Sequence, residues 1–294
     1  MPELPEVETV RLGLEELIVS KTIKSVDSNW PKSFPNDPLE VRKFVVGSQI
    51  TGINRRAKIL IINLSSGYSL VIHLKMTGQL VYRSESTSFG AGHPNDSLIG
   101  LLPDKSTRVI IEFSDNSTLF FNDQRRFGWI KLIKTTNIKQ FTSIYGPEPL
   151  EDSFTWQELG NRLNLRPKSG IKAVLLDQQI IAGIGNIYAD ESLWAAKIHP
   201  LTPVSELSTQ KIKLLRNSIV DVLNLSIKMG GSSTRNYVNA EGKRGSYIKI
   251  AKVFRRENEP CPRCGHIISK IRVAGRGTHY CPYCQSQNIA KMSK

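Results

Sequence analysis

The residues best equipped for chemistry stand at the two ends of this chain. It opens MPELPEVETV. With Met1 removed, which a small second residue permits, Pro2 becomes a free secondary amine with the Glu3 carboxylate beside it. Such an amine is a nucleophile of the Schiff-base kind, and α-amino groups titrate near pH ~8, so part of the population is unprotonated without deep burial. Taken alone, the stretch also reads as a polar lead-in to a helix with proline at a first-turn position. At the other end stand C-P-R-C at 261–264 and C-P-Y-C at 281–284. This spacing of Cys261, Cys264, Cys281 and Cys284 suits a tetrahedral zinc site with four thiolate ligands better than a disulfide pair or an iron–sulfur cluster. Four protein ligands leave no open position, so the zinc would be structural. All four cysteines of the chain lie here. None remain for a disulfide framework, which agrees with a reducing compartment.

Four further stretches suggest contact with a polyanion. HIISKIRVAGRGTHY, between the knuckles, is basic and would form a hairpin, with Arg272 and Arg276 on it or on its turn. From there they reach a phosphate or a groove, or they serve only solubility. NDQRRFGWIK (122–131) pairs Arg125 and Arg126 with Phe127; neighbouring residues of a strand point to opposite faces. HLKMTG (73–78) sets His73 and Met76 next to a turn. Met76 alone reads as core, but with the arginines and Phe127 it resembles the wedge that fills the gap left by a flipped nucleotide. AGIGNIYADE (182–191) puts Gly183, Gly185 and Asn186 in a tight turn ahead of a helix, where backbone N–H groups can meet a phosphate. A lone GxG is weak evidence.

These groups need elements to hold them. Residues 4–18 carry Val7, Val10, Leu14 and Leu17 at helical spacing, with acids in the first turn at the positive end of the helix dipole. Pro2 and Glu3 therefore sit just ahead of a helix N-terminus. From about 22 to 135 the texture is short, β-rich and broken by turns such as LSSGYSL and FSDNSTL, which predicts an antiparallel sandwich or barrel. Residues 84–105 read as a long polar loop. Gly146-Pro147 and Pro149 mark a linker, and helical patterns follow to about 229. Residues 230–250 return to Gly/Ser-rich loop texture.

The 294 residues carry a net charge of +14, unevenly spread: residues 1–50 hold 6 basic and 8 acidic side chains, residues 201–294 hold 17 and 5. A one-sided basic excess favours a nucleic-acid partner. No run of about 18 apolar residues is present and the start lacks an apolar signal core, so the expectation is a cytoplasmic protein without a membrane span.

PELPEVE at the start, RRAK at 55–58, HLKMTG, QRRFG, GIGNIYADE and a finger ending CPYCQ occur in one order. In combination they resemble the formamidopyrimidine-DNA glycosylase family over nearly the whole chain. The resemblance implies an α+β multidomain fold: an N-terminal helix plus antiparallel β-sandwich (1–137), a linker (138–150), a helical helix–two-turn–helix domain (151–250) and a four-cysteine zinc hairpin (251–294), with duplex DNA bound between the domains by a monomer. It implies a bifunctional glycosylase and AP lyase acting on oxidised purines, with Pro2 as nucleophile, Glu3 protonating the sugar ring oxygen, Lys58 as proton donor and Arg276 linked to phosphate binding and elimination. Met76, Arg125 and Phe127 match the void-filling set. His73, Arg126, Lys168, Lys172 and Asn186 match DNA-contacting positions. Glu6 and Glu191 match supporting carboxylates, and residues 230–247, with Arg235 and Tyr237, match a loop over the everted base. An endonuclease VIII-like enzyme for oxidised pyrimidines and a non-catalytic zinc-dependent DNA binder are the competing readings. The Met76, Arg125 and Phe127 set disfavours the first; Pro2, Glu3 and Lys58 disfavour the second. Two departures stand out. Ser106 lies where a DNA-contacting histidine is expected, and the 84–105 segment is longer than usual.

Overall fold

A computed structural model describes residues 1–93, 95–232 and 247–286. The chain divides into two compact units, Met1–Ser143 with Ser226–Tyr247, and Ile144–Leu225 with Ile248–Lys294. The segment 226–247 thus groups with the first unit, although it follows a helical region of the second in sequence.

In the first unit the opening helix α1 (Leu4–Ile18) is followed by β1 (Ile23–Ser28), α2 (Pro38–Phe44), β2 (Ile50–Arg56), β3 (Ile59–Leu64), β4 (Tyr68–His73), β5 (Gly78–Arg83), β6 (Ser88–Gly92), β7 (Thr107–Phe113), β8 (Thr118–Asp123), β9 (Trp129–Lys134) and α3 (Ile138–Phe141). Two antiparallel sheets form, in the orders β1-β7-β8-β5-β6 and β2-β3-β4-β9. One core joins them: Ile53, Leu60, Ile62, Leu70 and Ile72 from one sheet, Leu80, Val109, Ile111 and Phe121 from the other. This is the expected sandwich. α1 buries Val7, Val10, Leu14 and Ile18 in the same core, the i, i+3, i+7, i+11 stripe of an amphipathic helix.

Two expectations change. The region 22–135 is not purely β, because Asp37 caps a short helix, accepting from the N–H groups of Leu39 and Glu40 ahead of Pro38 at its first turn. Nor is 84–105 a plain loop. Residues 88–92 form β6, paired with β5 from Gln79↔Gly92 to Arg83↔Ser88, and its Phe89 is fully buried. A Ser/Gly-rich strand with one aromatic anchor gives almost no period-2 signal; backbone pairing to β5 makes it a strand.

The second unit contains α4 (Trp156–Leu163), α5 (Ile171–Leu175), α6 (Asn186–Ala195), α7 (Thr209–Lys228, whose last turn counts with the first unit), α8 (Tyr247–Ile250, likewise shared at Tyr247) and a hairpin of β10 (Ser269–Val273) and β11 (Arg276–Tyr280). No described helix is long and apolar enough to cross a membrane.

Candidate active site

Pro2 and Glu3 are buried at the head of α1. Glu3 and Glu6 form a reciprocal capping box, in which the Glu3 N–H donates to Glu6 Oε2 at 2.8 Å. The other Glu6 oxygen accepts the Ser232 N–H, also at 2.8 Å. Gly231, with φ +84°, packs on Glu6, and its carbonyl accepts the Tyr247 N–H at 3.1 Å. Glu6 therefore ties the amine end of the chain to the Ser232 root of the 233–246 segment, and the Gly231–Tyr247 bond joins that root to the other. The candidate covering loop, with Arg235 and Tyr237, lies outside the described residues.

Lys58 is buried, just ahead of β3 and after Ala57, whose φ of +55° marks the turn. The turn is fastened by Arg55, which donates to the Ala57 carbonyl at 3.0 Å and pairs with Glu8 of α1 at 2.8 Å. His73, opposite Ile59 in the β3–β4 register, is buried; its Nδ1 accepts the Lys75 N–H at 3.0 Å. Burial, followed by the Lys75 and Lys58 charges, pushes its pKa down to about 3. His73 is thus a buried, neutral imidazole near Lys58.

Met76 and the arginines sit on two separate turns joined by one buried carboxylate. Asp123 accepts the Gly128 N–H at 2.6 Å and the Arg125 N–H at 3.2 Å, and receives the Thr77 hydroxyl. Thr77 in turn accepts the Arg125 N–H at 3.0 Å. Arg125 and Arg126 lie in the turn after β8, not within a strand. The φ of +59° at Arg126, rather than pleat alternation, divides their directions. Arg125 stacks on Phe127 at 4.9 Å and Arg126 on Trp30 at 4.4 Å. Phe127 is 54% exposed, which packing within the chain does not account for. Ser106 cannot replace a DNA-contacting histidine: it is buried and bonds to Asp104 and Ser97 of the extended segment.

In the second unit the four cysteine sulfurs all lie within 4.8 Å of one another. Tetrahedral Zn–S bonds of about 2.3 Å place sulfurs ~3.8 Å apart, so the cluster fits the ion. Four thiolates brought this close would repel one another, so the cluster calls for a dication among them. Ala274 and Gly275, with φ of +49° and +74°, make the tight turn that presents Arg276 and Arg272 outward.

Behind the hairpin lies a buried ionic network absent from the sequence reading. Lys172 is fully buried: its Nζ lies 2.5 Å from Asp190 Oδ1 and 2.7 Å from Thr278 Oγ1. Asp190 Oδ2 accepts the His279 backbone N–H at 2.9 Å and lies 3.3 Å from its ring Nδ1, while Glu257 Oε2 lies 3.1 Å from Nε2 on the far side of the ring. The expectation of a direct phosphate contact by Lys172 gives way to an internal brace, because a desolvated ammonium needs its carboxylate. Asn186, at the start of α6, donates to the Gly277 carbonyl at 2.9 Å and so steadies the same hairpin. Glu191 accepts the N–H groups of Lys252, Val253 and Phe254 at 2.8–2.9 Å, and burial raises its pKa. It clamps that stretch of backbone. Lys168 is exposed, as a phosphate contact requires.

Three family models match the chain in order: "Formamidopyrimidine-DNA glycosylase N-terminal domain" over residues 1–130, "Formamidopyrimidine-DNA glycosylase H2TH domain" over 145–238, and "Zinc finger found in FPG and IleRS" over 258–287. The chain is 42% identical to the formamidopyrimidine-DNA glycosylase of Chloroflexus aggregans over 97% of its length and 98% of the relative's. It is 39% identical to that of Ligilactobacillus salivarius, covering 97% and 99%. Among solved structures it is similar to a Lactococcus lactis FPG point mutant bound to Fapy-dG-containing DNA, with TM-score 0.86, 37% identity and coverage of 97% and 100%. It is also similar to MutM in complex with carbocyclic 8-oxo-G-containing DNA, with TM-score 0.84, 36% identity and the same coverage.

Proposed function

The chain belongs to the formamidopyrimidine-DNA glycosylase family, and from that premise we propose how its own residues carry the chemistry. It is a DNA glycosylase and AP lyase of base excision repair, acting on duplex DNA with oxidised purines or abasic sites. One structural zinc is held by Cys261, Cys264, Cys281 and Cys284.

Pro2, freed of Met1, attacks C1′ of the damaged nucleotide and displaces the base. Glu3 protonates the ring oxygen as the sugar opens. The resulting iminium draws electrons from C2′, so the C2′ proton is lost and elimination cuts the strand on both sides of the lost nucleoside. Lys58 supplies a proton near the lesion. Met76, Arg125 and Phe127 fill the gap left by the everted nucleotide, and the Thr77–Asp123 bond keeps their two turns at fixed spacing. Arg126, Lys168 and Arg276 take phosphates. Action on DNA supports a cytoplasmic location.

The observation that carries this reading is the buried Pro2–Glu3 pair fixed at the head of α1 by the capping box. Borohydride trapping on a duplex with 8-oxoguanine opposite cytosine tests it, with Met1 removal checked by mass spectrometry. A covalent protein–DNA band that Pro2→Gly abolishes, while lesion binding persists, supports the amine mechanism. Absence of a band from protein with a free Pro2 sinks it.

A further inference from the structure

The long segment between β5 and β7 has no part in the reaction as described, yet it is bonded at both ends to the turns that carry Met76, Arg125 and Phe127. β5 and β8 are neighbours in their sheet, with β6 on one flank and β7 on the other. Gly78 faces Asp123 as the end pair of β5 and β8, and the two turns overhang beyond it. Residues 93–106 cross from β6 to β7 at this end. On the β5 side the His93 N–H donates to the Gly78 carbonyl at 3.0 Å. The Gln79 side-chain amide donates to the His93 carbonyl and, at 2.7 Å, to Asn95 Oδ1. On the β8 side the Asp123 N–H donates to the Ser106 carbonyl at 2.8 Å, and Arg108 Nε donates to the Asp123 carbonyl at 3.0 Å.

One carboxylate closes the span between these two ends. Asp104 Oδ2 accepts the Ser97 hydroxyl at 2.5 Å, and its Oδ1 accepts both the N–H and the hydroxyl of Ser106 at 2.7 Å. The Ser97 N–H donates to Asn95 Oδ1 at 2.9 Å. A hydrogen-bonded chain therefore runs from Gln79 through Asn95, Ser97, Asp104 and Ser106 to Asp123. Ser97 and Ser106 are buried, and Leu98 packs on Val81 of β5 and Phe120 of β8. Burial opposes the charge of Asp104, but the bonds from Ser106 and Ser97 outweigh it and hold its pKa below the ordinary carboxylate value.

We propose that Asp104 is a positioning residue for the gap-filling side chains: through Ser97 and Ser106 it fixes the Met76 turn against the turn with Arg125 and Phe127. The proposal rests on the gap-filling role given above to Met76, Arg125 and Phe127. The Thr77–Asp123 bond alone leaves the two turns free to pivot about one contact. The chain through Asp104 is a second path between the same turns, and two paths close a ring that removes the pivot. Everting a stacked base needs both turns at one spacing. An abasic nucleotide has no base to unstack and demands less of them.

The test is single-turnover borohydride trapping on the 8-oxoguanine duplex and on a duplex with a preformed abasic site. It compares wild type, Asp104→Ala and the milder Ser97→Ala, each with and without Phe127→Ala. The expected result for Asp104→Ala is a loss of about tenfold on 8-oxoguanine and under about twofold on the abasic site, with Ser97→Ala smaller in the same sense. In the Phe127→Ala background the same substitutions should cost under about twofold, because the side chain they help to place is gone. A merely structural role lowers trapping on both duplexes alike and adds to the loss from Phe127→Ala. Equal losses, additive losses, or no loss in either variant overturn the proposal while the amine mechanism stands. A Phe127→Ala enzyme that traps 8-oxoguanine as well as wild type overturns the gap-filling role and the proposal with it.

Discussion

The two ends of the chain each fix a group that would otherwise fray, and they do so by different physics. The amine end uses packing. α1 lays Val7, Val10, Leu14 and Ile18 into a large core, and a single carboxylate, Glu6, completes the placement. The hairpin that carries Arg276 has no such core. Val253, Cys261, Ile268 and Cys281 are the fully buried apolar residues of its cluster. A module of about 30 residues buries too little apolar surface to hold itself. A metal and the buried Lys172–Asp190–His279 network take over that role. A functional group on a large core needs only a local cap; one on a small module needs charge.

That difference breaks first at the metal. Stripping zinc with a chelator, or Cys281→Ser, removes a site of about 10–16 kcal/mol apparent binding free energy in comparable fingers. Amide hydrogen exchange should show protection lost across 269–280 and kept in the sandwich strands, with lesion-DNA affinity down a hundredfold or more. Hairpin amides still protected in verified zinc-free protein would mean that the ionic network alone suffices.

The next effect sharpens the role of charge. Lys172→Met leaves Asp190 buried with one partner fewer, a cost of about 3–5 kcal/mol. Urea unfolding of the second unit should record it, and Lys172→Met with Asp190→Leu should regain much of the loss. A phosphate contact would behave differently, lowering the salt dependence of DNA binding by about one counterion while leaving stability alone. An unchanged salt slope with lost stability is the expected pair of results.

What the sequence made legible follows the same line. α1, the sandwich texture and the spacing of the four cysteines are local patterns, and a reader of the chain sees them. The braces are not local. Thr77 and Asp123 are 46 residues apart, Asp190 and His279 are 89 apart, and no spacing rule links them. Lys172 looks like any other helix lysine because its partner Asp190 carries no signal of its own. The strand β6 is hidden by serines and glycines that pair through backbone.

The smallest effect falls on the amine end, and the comparison predicts that it should be small in stability and larger in function. Glu6→Gln keeps one oxygen to accept either the Glu3 or the Ser232 N–H. It turns an NH2 group toward the other, so one buried donor loses its acceptor. That costs about 1–2 kcal/mol. The core under α1 is untouched, so the melting temperature should fall by only about 2–8 °C. The lost bond nevertheless lies at the backbone that sets Glu3 and Pro2, or at the root of the 233–246 segment. Small displacements of reacting groups are costly in rate. The trapping rate on the 8-oxoguanine duplex should drop by about ten- to a hundredfold while affinity for an undamaged duplex holds. Equal, modest losses in both would mean that Glu6 only caps a helix. A selective loss of trapping would show that a cap worth little to the fold is what holds the nucleophile in place.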